Sequence, residues 1–120
     1  MYKINFSPND DATLLEVKGS TVNFLRYIVN DIEYISFDTS DRGAPEPMQN
    51  ALLGLRLITN SKTRLIMINH RRPEGLLAKL DGKFDYIEKT TDSGDVVIEF
   101  FLSNNKTITD LNNIDNNCNG

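Results

Sequence analysis

Tryptophan is absent from this 120-residue chain, and cysteine and histidine occur once each, as Cys118 and His70. A lone cysteine closes no internal disulfide, so the fold must be held by an apolar core. One cysteine and one histidine also cannot furnish a Cys/His zinc shell, which takes four such ligands. No metal and no cofactor are therefore expected. Long apolar runs are missing as well: none approaches the roughly 20 residues that a membrane-spanning helix needs. The opening Met1-Tyr2-Lys3-Ile4-Asn5 lacks the apolar stretch of a secretory leader. The expectation is a cytoplasmic protein with no membrane partner. Positive charge is scarce, with 13 Lys and Arg against 17 Asp and Glu and a net charge of -4. Affinity for a phosphate backbone rests on clustered Lys and Arg, so nucleic acid is not an expected partner.

Against these absences, hydrophobic residues make up 39% and charged residues 25%, the proportions of a globular domain. The length suits one domain able to bury about two-thirds of its unfolded surface. Glu33 to Asp38 carries the β-branched and aromatic residues of a strand. A polar loop, Thr39 to Ala44, leads to Pro45-Glu46-Pro47, where proline suits a helix start because first-turn N–H groups have no helical partner. Met48, Ala51, Leu52, Leu55 and Ile58 then follow the spacing of one helical face. Arg64-Leu65-Ile66-Met67-Ile68 reads as a central strand, and Pro73 starts a short second helix bearing Leu76, Leu77 and Leu80. Asp81-Gly82 ends that helix, glycine being free to take the left-handed cap. Phe84 to Lys89 and Asp95 to Leu102 read as strands joined by the turn-forming Thr91-Asp92-Ser93-Gly94.

The expected class is thus an α/β two-layer sandwich over residues 34–103: β-α-β-α-β-β, a mixed four-stranded sheet with two helices on one face. Leu52, Leu55, Ile66, Ile68, Leu77, Ile98 and Phe100 are its expected core. Residues 1–33 are expected to be an α/β extension packed on that core. Within it, Tyr2 to Phe6 and Thr13 to Val17 are candidate strands, and Ser20 or Thr21 could cap a helix running to about Asn30. Residues 104–120, rich in asparagine and poor in aromatics, are expected to form a disordered tail.

The run Asp38-Thr39-Ser40-Asp41-Arg42-Gly43-Ala44-Pro45-Glu46-Pro47-Met48 resembles the signature of the TusA/SirA sulfur-carrier family. In that signature an acidic residue ends a strand, a glycine-containing loop follows, and Cys-Pro-x-Pro opens the first helix. Asp38, Pro45 and Pro47 match; the family's cysteine falls on Ala44. The resemblance implies a TusA-like fold over residues 34–102. The sulfur chemistry needs a thiolate, and Ala44 supplies none. The chain is more similar still to a cysteine-less branch of that superfamily, a domain of unknown function. That branch has an Arg-Gly-x-Pro-Glu-Pro-Met-like loop and a short His-Arg motif before proline, here Arg42 to Met48 and His70-Arg71-Arg72-Pro73. No sulfurtransferase activity and no catalytic residue are expected.

Both motifs lie where strands end and helices begin, the edge at which open α/β sheets bind ligands. Arg42, Gly43, His70, Arg71 and Arg72 are therefore the candidate ligand-binding residues, for a small anionic ligand or an acidic protein segment. The same arginines could equally pair with Asp38 or Asp41 or face solvent. Three functions stay open: a non-catalytic binding or adaptor domain; an accessory or redox-linked enzyme using His70 with Arg42 and Arg72; and an RNA-binding protein. Only the first asks nothing that the composition withholds.

Overall fold

The computed structural model describes residues 12–103. The expectations for Tyr2 to Phe6, for residues 104–120 and for Cys118 lie outside the described residues. Six strands form one mixed sheet in the order β1-β2-β3-β4-β6-β5. They are β1 (Thr13–Leu15), β2 (Phe24–Val29), β3 (Ile32–Asp38), β4 (Thr63–Asn69), β5 (Phe84–Thr90) and β6 (Val96–Leu102). Helix α1 (Glu46–Leu55) links β3 to β4, and α2 (Glu74–Ala78) follows β4. Of the ladders, only β3 with β4 is parallel. That pairing requires the crossover that α1 supplies.

The α/β expectation holds at the level of two helices on a mixed sheet, and residues 32–102 carry four strands. Two more among the described residues, β1 within the expected strand Thr13 to Val17 and β2, extend the same sheet. The two additional strands come from residues 12–33. The helix expected from Ser20 or Thr21 to Asn30 is instead β2, paired with β3 from Phe24↔Phe37 to Val29↔Ile32. Asn30 and Asp31, at φ 52° and 69°, form the two-residue turn between them. Both positions tolerate left-handed backbone, and two positive φ values suit the right-handed twist of a hairpin. Thr21 caps no helix of its own. Its N–H donates to Asn50 Oδ1 (2.9 Å) and its hydroxyl to Glu46 Oε1 (2.7 Å), tying the segment before β2 to α1.

Alternation along the strands sorts side chains to two faces. Phe24, Ile35, Phe37, Leu65, Met67 and Ile98 point toward the helices and pack with Ala51, Leu55 and Leu76. The opposite face gathers Tyr27, Tyr34, Ile66 and Val97. Of the expected core, Leu55, Ile66, Ile98 and Phe100 are buried, whereas Leu52 is 40% exposed. Leu52 lies at the margin of the helical stripe, and Ala51, one residue back, takes the sheet-facing position. Gly54 lets α1 lie close on the sheet: a Cβ there would come within 2.7 Å of Leu65 Cδ1. None of the helices among the described residues is long and apolar enough to cross a membrane.

Candidate functional site

The β3–α1 and β4–α2 loops meet because the strands that launch them are parallel neighbours. Beyond the last ladder pair, Thr39 N–H still donates to Ile68 O (2.8 Å), which carries the parallel register into the loops. Thr39 Oγ1 then donates to Asn69 Oδ1 (3.0 Å), and Asn69 Nδ2 donates to Arg71 O (3.0 Å). Thr39 and Asn69 are both buried. Every polar atom of the Asn69 side chain has a partner in one of the two loops, so the loops are held at a fixed spacing.

Between the loops lies a cleft of about 390 Å³, in the size range of small-ligand sites. Ala44, Pro45, Pro47 and Met48 form one wall, and Pro73, Gly75 and Leu76 the other. His70 and Arg71, both exposed, stand at its mouth. Apolar walls with two donors at the rim suit a ligand with a polar, electron-rich end. Among the described residues, no cysteine, serine, threonine, tyrosine or lysine lines the cleft; His70 and Glu74 are its titratable side chains besides the arginines.

The five candidate residues separate. His70, Arg71 and Arg72 come together in the cleft with Ala44, Pro45 and Pro47, as the spacing of the two motifs suggested. Arg42 does not join them. Its guanidinium lies 3.5 Å from both Asp41 and Glu46, and it borders a different surface depression with Asp38 and Asp41. Gly43 lines neither space; its N-terminal neighbour Arg42 and C-terminal neighbour Ala44 face opposite ways. Asp38 accepts a bond from Ser40 N–H (2.8 Å) and shapes the turn out of β3.

Arg72 is at the cleft but already engaged. Its Nε donates to both Glu88 oxygens (2.8 and 3.1 Å), one terminal nitrogen reaches Glu74, and the other donates to the Tyr86 hydroxyl (2.8 Å). Hydrogen bonding to Glu88 is the main cause raising its pKa above the ordinary arginine value. Arg72 therefore braces the α2 start against β5, and of the two arginines lining the cleft Arg71 is the one with no ion pair among the described residues. No carboxylate among the described residues hydrogen-bonds to His70. Clusters of three or more metal-ligating side chains are also absent among the described residues.

Sequence reasoning missed Asn69 and Leu76 as parts of the site. Asn69 was signalled only by its place, the first polar residue after the apolar run of β4. Leu76, expected only as one leucine of the second helix, is buried in the core where Leu77 was expected, and its edge also forms the cleft wall. Comparisons with protein-family models, with curated proteins and with solved structures return no match.

Proposed function

We propose that this protein is a non-catalytic binding module of TusA-like type, and that its ligand sits in the cleft between the β3–α1 and β4–α2 loops. The ligand is a small anion or the acidic end of a protein segment. One observation carries this reading. Ala44, which the resemblance puts where the sulfur carriers have their cysteine, lines one cleft with His70 and Arg71, and no thiol among the described residues lines it. The β-α-β-α-β-β order of residues 32–102 supports the resemblance. A recognition cleft that has kept its shape and lost its thiol binds without transferring. Glu74 at the rim pairs with Arg72, which also holds Glu88, and Arg71 and His70 are the donors left for an incoming carboxylate or phosphate.

The test is an amide-NMR titration with inorganic phosphate and, separately, with succinate. One exposed arginine and one histidine give modest electrostatic gain, so dissociation constants on the order of millimolar are expected. Ala44, Arg71 and Gly75 should shift together and saturably, and His70→Ala/Arg71→Ala should abolish the shifts with the fold intact. Failure of both probes to saturate, or shifts unchanged in the double variant, overturns the reading.

A further inference from the structure

A second cleft opens at the far end of the helical layer. Both helices run from the loop edge back toward the start of β4, so their C-terminal ends lie together at the opposite edge of the sheet from the loops. There a depression of about 370 Å³ is walled by Leu52, Leu55, Leu76, Leu80 and Phe84. Leu52, at the edge of this apolar slot, is 40% exposed. Three cations surround this apolar floor, one just after α1 and two in the link between α2 and β5. Arg56 ends α1, Lys79 ends α2, and Lys83 precedes β5. Asp81 is the single acid lining the cleft.

None of Arg56, Lys79 and Lys83 makes an ion pair with a described residue. Lys83 instead holds its ammonium 5.5 Å from the centre of the Phe84 ring. In a chain of net charge -4, three unpaired cations around an apolar slot run against the overall charge. Favourable interaction with the helix C-termini accounts in part for Arg56 and Lys79. It does not account for Lys83, or for the leucine left open between them.

We infer that this cleft docks an acidic amphipathic segment of a partner protein, with aliphatic anchors three or four residues apart and carboxylates flanking them. The anchors would cover Leu52 and fill the slot between the helix ends, the groove-binding mode of an amphipathic segment. The carboxylates would meet Arg56, Lys79 and Lys83. Cations at three separate positions around the slot fit several carboxylates on a segment better than one headgroup of a small amphiphile. Exposed ion pairs add little affinity singly, so the apolar anchor supplies the grip and the charges supply encounter rate and selectivity. The inference is independent of the loop cleft.

The probe is a short synthetic peptide with two leucines spaced three apart among glutamates, fluorescently labelled and titrated with the full chain. Saturable binding is expected. It should weaken at least tenfold with Arg56→Glu/Lys79→Glu, with Leu52→Asp, and with a peptide in which both leucines are serine. A peptide with glutamines for glutamates should also bind several-fold more weakly. The substituted side chains are exposed, and circular dichroism with a thermal melt verifies that each variant folds. Binding that ignores the charge reversal, or equal binding of the glutamine peptide, overturns the proposal. So does sodium decanoate binding the cleft more tightly than the peptide. Sedimentation showing a dimer that Arg56→Glu/Lys79→Glu dissolves would assign the surface to a second copy of this chain, which also overturns it.

Discussion

On the helix side of the sheet, Phe24 stacks on Phe37 at 4.9 Å between ring centres, and Leu65, Met67, Ile98 and Phe100 are fully buried. On the other side, Tyr27 stacks on Tyr34 at 5.6 Å, and Arg64 donates to Glu99 (2.6 Å). Glu99 is itself fully buried, and the Arg64 guanidinium lies 4.6 Å from the centre of the Phe101 ring. The first face is apolar at its centre and is held there by close packing, which responds to volume. The second buries charge and phenol, and is held by directional groups whose loss leaves a partner in a dry environment. Neighbouring residues of the same strands therefore respond to substitution by different rules: Phe100 by cavity, Glu99 by charge.

The largest effect should come from enlarging that contrast on the apolar side. Phe100→Ala should cost about 3–5 kcal/mol of unfolding free energy, the range for a buried aromatic truncation. A loss under about 1 kcal/mol in urea titration would mean that the helix-side packing is loose. On the polar side, Glu99→Gln keeps shape and removes charge, and should cost about 1.5–3 kcal/mol. Arg64→Met/Glu99→Leu should recover most of that loss, since a buried ion pair replaced by apolar groups is often neutral in stability. If the double variant is less stable than Glu99→Gln, the two faces do not follow different rules.

The elements after residue 33 were legible in the sequence, whereas the contrast between the two faces was not. Proline at two helix starts, Gly82 and Gly94 at turns, and the apolar run of β4 fixed the element order. Residues 21–30 misled for a definite reason. Val22, Leu25, Ile28, Val29 and Ile32 fit a helical stripe, yet Phe24-Leu25-Arg26-Tyr27 also alternates. The Asn30-Asp31 turn decides between the two, and its weight comes from pairing with β3, a tertiary fact. In the candidate site, the meeting of the two loops followed from β-α-β order. The engagement of Arg72 did not, because Tyr86 and Glu88 arrive on β5, the far edge strand, 14 and 16 residues further along the chain. Nor did the outward turn of Arg42, which depends on Glu46 being one helical turn ahead of it.

A smaller effect sharpens the packing side of the comparison. Gly54→Ala gains about 1 kcal/mol of helix propensity, but its Cβ would press on Leu65, which is fully buried. A net loss of about 1–2 kcal/mol is expected, because overpacking here moves a central strand residue. A gain in the melting midpoint would show that Leu65 can give way.

The smallest effect is confined to alkaline solution. Burial, then Tyr34 and then Glu99, push the Tyr27 phenol up to about 12. The folded state thus holds this proton more tightly than the unfolded chain, whose tyrosine titrates near 10. The stability it contributes is whole below pH ~10 and declines as pH rises toward 12. Unfolding midpoints should therefore fall more steeply over that window in the wild type than in Tyr27→Phe. Equal slopes would mean that Tyr27 is not buried with its proton.

The strand order β1-β2-β3-β4-β6-β5 also divides the molecule in time. The β2–β3 hairpin closes through two residues, and β5–β6 through the short link from Thr91 to Asp95. Such ladders need little chain diffusion and form within microseconds. The seams of β4 with β3 and with β6 join residues 30 and 35 positions apart, as in Thr39 with Asn69 and Arg64 with Glu99. Loop-closure entropy has to be overcome before those contacts contribute, so they set the speed of the whole transition. The Arg64–Glu99 pair belongs to the slow seam: it meets only when two hairpins, each already formed, are brought to either side of β4.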